Sequence, residues 1–152
     1  MHAADLLDSA RELLKVGRGA PRQANLRKAC SAVYYALFHT VCATCAGALA
    51  ARRTRRAWTQ VYRAVEHRIA KDNCQRLRGM GFPAEIESFA RLFVQMQEKR
   101  HRADYDPNVR FYKSAVEADI RTTAVTIAAF GACARTHRRA FAAYILLRGS
   151  RV

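Results

Sequence analysis

The chain has 152 residues, about the size of one ordinary domain, and its 27 Lys plus Arg against 12 Asp plus Glu give a formal charge of +15. With 51% hydrophobic residues it has enough apolar material for a core, which excludes a disordered polycation and directs the surplus charge toward polyanionic partners. No unbroken run of about 20 apolar residues is present and the N-terminal sequence lacks a secretory leader pattern, so the expectation is one cytoplasmic domain over 1–152 without a membrane span.

Apolar residues recur at helical spacing from end to end, and the few Gly and Pro fall where that period lapses, so the fold class is all-α. The first helix, 5–16, carries Leu6, Leu7, Ala10, Leu13 and Leu14 and stops at Gly17 and Gly19. Pro21 suits the first turn of a long second helix reaching Ala50, whose wide apolar arc through Leu26, Cys30, Val33, Leu37 and Val41 marks it as central. The basic run Arg52, Arg53, Arg55, Arg56 leads into a third helix with Trp58, Val61, Tyr62, Val65 and Ile69 inward. Its opposite face is Arg56, Arg63, His67, Lys71, Cys74 and Arg78. Gly79, Gly81 and Pro83 separate it from a fourth helix over 84–103, and Asp106-Pro107-Asn108 forms a turn. The fifth begins near Tyr112, and its stripe through Val116, Ile120, Ile127 and Phe130 aligns with Phe141 and Ile145, so residues 135–152 read as its basic amphipathic extension. The expected architecture is an up-and-down bundle of about five helices.

The fourth helix is the most informative. Its inward stripe of Ile86, Phe89, Ala90 and Phe93 continues into Gln97, Arg100 and Asp104. Burying such ions without partners costs several kcal/mol each, so this end is paired, solvated in a cleft, or placed at an interface. One reading is an Arg100–Asp104 pair that closes the bundle. The other is a cleft that presents Arg100, His101, Arg102, Asp104 and Tyr105 to a phosphate backbone.

Ser31-Ala-Val-Tyr-Tyr-Ala-Leu-Phe-His39, followed about sixty residues later by Glu98-Lys-Arg-His-Arg-Ala-Asp-Tyr-Asp-Pro107, resembles the HEPN domain family, in the branch with YYAxFH-like and R..ADY-like elements. The resemblance covers Leu6 to about Phe130. It implies a dimerising helical bundle that binds or cleaves RNA in toxin–antitoxin, defence or RNA-processing systems, in some members beside a small nucleotidyltransferase partner. Nuclease members set an Arg, four to six residues, then a His in a cleft shared by both protomers. The 2′-hydroxyl attacks the neighbouring phosphate there without metal. Arg100 matches that Arg, but Tyr105 stands after the four intervening residues, and no His in the chain has an Arg at the required spacing. The expectation is therefore an RNA-binding homodimer, with Arg100 on phosphate, Asp104 orienting it and Tyr105 stacking or donating a hydrogen bond. The alternatives are a metal-independent endoribonuclease in which Arg100, His101, Asp104 and Tyr105 form a variant catalytic cluster, and a partner-binding module paired with a nucleotidyltransferase.

The nucleic-acid track is read as Arg52, Arg53, Arg55, Arg56, Arg63, His67, Lys71 and Arg78, joined by Arg102; such contacts are sequence-independent and sensitive to salt. Cys42-Ala-Thr-Cys45 has the spacing of a metal or redox pair, but His39 projects away from both on a helix, so the two read as small buried thiols and no metal or cofactor is expected. His39 itself is expected to bond across the bundle.

Overall fold

The structure, a computed structural model, describes residues 2–50 and 54–147. Among them the chain forms seven helices and no strand: α1 (Ala3–Leu13), α2 (Gln23–Leu49), α3 (Arg55–Ala64), α4 (His67–Arg76), α5 (Ala84–Tyr105), α6 (Lys113–Ala132) and α7 (Arg135–Leu146). The all-α reading holds; the number of helices does not. Arg52 and Arg53 lie outside the described residues.

α2 is the hub, touching α1, α3, α5, α6 and α7, while α4 packs on α5 and α7. Its central place follows from its wide apolar arc: Leu26, Val33, Tyr34, Leu37, Val41 and Cys45 are all buried. By length and composition α2 is also apolar enough to cross a bilayer, with a mean hydropathy of 1.4 over its best window, 44% of which is buried inside the fold. Gly17 and Gly19, with φ of 86° and 85°, supply the left-handed backbone of the turn between α1 and α2. Helix α2 begins two residues after Pro21, with Arg22 in extended conformation at its cap.

The expected third helix is two. Val65 (ψ 117°) and Glu66 (ψ 132°) are extended, so α3 and α4 meet at an angle with neither Gly nor Pro between them. On one continuous helix Tyr62 and His67 would project about 140° apart. In the fold both face α2, where Tyr62 bonds His39 and His67 bonds Tyr34. The break makes both contacts compatible, and buried Val65 fills the corner. It also turns the expected solvent face of α4 inward: Cys74 is buried and His67 half-buried.

The expected run-on of the last helix also fails. Cys133 (ψ 152°) and Ala134 (ψ 140°) interrupt it, and α7 folds back onto α2 and α4. Phe130 and Phe141 would lie about 16 Å apart along one helix. Their ring centroids are 5.3 Å apart, and Phe89 packs against both at 4.3 and 6.0 Å. Burying Phe141 in this cluster outweighs the few backbone hydrogen bonds lost at the break.

Candidate functional site

The polar end of α5 projects Arg100 into the bundle's edge. The four-residue step to Asp104 puts the two on one face, and Arg100 Nη1 donates to Asp104 Oδ2 at 3.2 Å. Ser31 Oγ on α2 donates to the other carboxylate oxygen at 2.7 Å. The guanidinium carbon sits 5.2 Å from the Tyr34 ring centroid and 5.7 Å from that of Tyr35, within cation–π range. The bundle-closing pair therefore exists, and it is not sealed: the Arg100 side chain is 15% exposed and that of Asp104 34%. Arg100 Nε is buried without a partner among the described residues.

Arg100, His101 and Arg102 line a cleft of about 380 Å³ with Gln97, Glu98 and Lys71, the last contributed by α4. Lys71 is part-neutralised by Glu98 at 3.5 Å. Asp104 and Tyr105 face the next hollow along, which they line with Arg27, Asp106 and Arg110. The four residues expected to act together are thus divided between two adjoining concavities, bridged by His101 and Tyr105, whose ring centroids are 5.0 Å apart. Tyr105 is 69% exposed, so it is open to stacking.

The basic track does not form one surface. Arg55, Arg56 and Arg63 share an open, shallow surface on α3 with Thr59 and Gln60. Lys71 belongs to the α5 cleft, and Arg78 lines a separate hollow with Arg91. The break between α3 and α4 separates them. His67 leaves the track altogether: its ring stacks on Phe38 at 3.8 Å and its Nδ1 meets the Tyr34 hydroxyl at 2.5 Å. Gln97 Nε2 donates to the His67 carbonyl at 3.3 Å. Burial, and then the Arg100 and His39 charges, hold its imidazole below the usual 6.5.

Two supporting features have no local signature. Arg27 on α2 donates to the carbonyls of Ala103 at 2.8 Å and Asp106 at 2.9 Å, capping the end of α5. Gln23 exchanges two 2.8 Å hydrogen bonds with the Phe111 backbone and fixes the loop beyond it. Both partners lie more than seventy residues away in sequence, where no periodicity reaches. His39, by contrast, bonds across the bundle to the Tyr62 hydroxyl as expected.

All five cysteines are free, and burial pushes the thiols of Cys42 and Cys45 up to about 12, so they are inert packing groups at neutral pH. No cluster of three or more His, Cys, Asp or Glu suited to a metal occurs among the described residues. The chain matches no family model, no curated protein and no solved structure.

Proposed function

We propose that this chain is an RNA-binding protein of the HEPN type, acting as a cytoplasmic homodimer in a toxin–antitoxin, defence or RNA-processing system. The observation that carries the reading is the interlocking of its two sequence elements. Arg100 of the R..ADY-like element lies over Tyr34 and Tyr35 of the YYAxFH-like element, and Ser31 bonds Asp104. The result is a fixed cation beside a cleft that also holds His101, Arg102 and Lys71. A guanidinium anchored by a carboxylate and stacked on rings keeps its planar fork in place for a phosphate oxygen. The overall charge of +15 adds attraction that needs no base sequence.

Titrating a generic single-stranded RNA at several salt concentrations tests this. Affinity falls steeply as salt rises, and an Arg102→Ala/Lys71→Ala variant reduces the slope of log K against log salt by about 1–1.5, the share of two phosphate contacts. Salt-insensitive or undetectable binding overturns the reading.

A metal-independent endoribonuclease is the second reading, and His67 is what favours it. Across Tyr34 from Arg100 stands an imidazole that burial holds below its usual 6.5, and so in its neutral, proton-accepting form at physiological pH. Cleavage in excess chelator that His67→Gln abolishes supports this reading; cleavage equal in Arg100→Ala marks a contaminant.

A further inference from the structure

A second basic concavity shares no lining residue with the α5 cleft. It is a groove of about 420 Å³ framed by α1, α2, α6 and α7, a size within the roughly 300–1,000 Å³ of small-ligand sites. Arg135, Arg138 and Arg139 line one side; their spacing of three and four places them on a single face of α7. The rest of the lining is mostly small: Ala43, Gly47 and Ala48 from α2 and Ile127 and Gly131 from α6 form its apolar part, beside the polar Thr40, Thr44 and His39 of α2. Among the described residues, no Asp or Glu lines the groove. A Cβ built on Gly47 meets nothing within 4 Å, so this wall is open space.

Three arginines in the first turns of α7 are placed against its backbone. The first turn holds no acid and Ala134 provides no side-chain cap, so the cations face the positive end of the helix dipole. The side chains of Arg135 and Arg139 make no hydrogen bond or ion pair among the described residues, and that of Arg138 is braced by its Nε donating to the Cys133 carbonyl at 3.2 Å. Such local conflict, in a concavity without counter-charge, is what an anion would relieve.

We propose that this groove binds a compact phosphate monoester, its dianionic phosphate on the three arginines and its apolar body against the Gly47–Gly131 wall. Three guanidinium groups supply more charge and more donors than a carboxylate or a phosphodiester uses, each of which carries a single negative charge. A doubly charged tetrahedral group with three terminal oxygens matches them. The apolar wall offers nothing to inorganic phosphate alone. The site is independent of RNA binding at the α5 cleft.

Isothermal titration at low ionic strength, with phenyl phosphate as probe and dimethyl phosphate, benzoate and inorganic phosphate as comparators, decides it. Phenyl phosphate binds one per chain, at least about tenfold tighter than dimethyl phosphate or benzoate and about threefold tighter than inorganic phosphate. Arg135→Ala/Arg139→Ala weakens it at least about tenfold, whereas Arg55→Ala/Arg63→Ala on α3 leaves it unchanged. Gly47→Leu, which fills the apolar wall and favours the helix, weakens phenyl phosphate and spares inorganic phosphate. Equal affinity for the diester would assign the groove to a nucleic-acid backbone and overturn the proposal. So would no binding of phenyl phosphate, or binding indifferent to the Arg135/Arg139 double substitution in a protein whose thermal melting is unaltered.

Discussion

Arg100 meets three kinds of partner at once: a carboxylate, a pair of aromatic rings and the solvent of the cleft. Its inward position was legible from the helical wheel of α5, because the polar residues fall on the same line as Phe89 and Phe93. The rings beneath it were not, since they belong to α2. His67 shows the reverse case, a residue that its own helix assigns to solvent and that the fold turns toward Tyr34 and Phe38. Its proton affinity is lowered by burial, and His39 shifts the same way for the same first reason. Below the unfolded value of 6.5 the unfolded chain binds protons that the folded one resists, so this contribution to stability is complete above 6.5 and is lost as pH falls through the folded values. The urea midpoint should therefore drop between about pH 7 and about pH 5.5, and His67→Gln/His39→Gln should flatten that drop. An unchanged slope in the double variant would mean that the two imidazoles titrate normally.

Among the elements, the two breaks decide where the charges lie. The α3–α4 corner splits the basic track, and the α6–α7 corner folds a would-be extension into the core. The first corner has no Gly or Pro to mark it and the second has only Gly131 two residues before it; both persist because long-range contacts reward them. The second corner depends on Phe141, which is fully buried between Phe89 and Phe130. Phe141→Ala should cost about 3–5 kcal/mol in urea denaturation, the usual penalty for an emptied aromatic site. A loss below about 1 kcal/mol would mean that α7 is peripheral and that its break has another cause. By contrast, the starts of α5 and α6 and the turn at Gly17 and Gly19 were readable from punctuation alone.

For the whole molecule the governing quantity is the charge of +15, against which the described residues set only six ion pairs. Three of these pairs are exposed on both partners and contribute little, while repulsion among the remaining cations opposes the folded state. Thermal stability should therefore rise as sodium chloride is raised from about 20 mM to about 200 mM, as the Debye length shrinks from roughly 20 Å to roughly 7 Å. A melting temperature that falls over this range would mean that the ion pairs outweigh the repulsion. The same surplus is spread over α3, the α5 cleft and α7 instead of concentrated in one stripe.

The sequence by itself determined the helical class, the central rank of α2, the inward polar end of α5 and the absence of an Arg–His pair at the motif spacing. Each of these is a property of residues close in the chain, where a period of 3.6 or a count of intervening positions carries the information. Only the tertiary structure decided that five segments are seven helices, that His67 stands beside Tyr34, and that Arg135, Arg138 and Arg139 rim a groove with α2 and α6. Those outcomes rest on contacts between distant segments, whose burial outweighs local helical propensity at Val65–Glu66 and Cys133–Ala134.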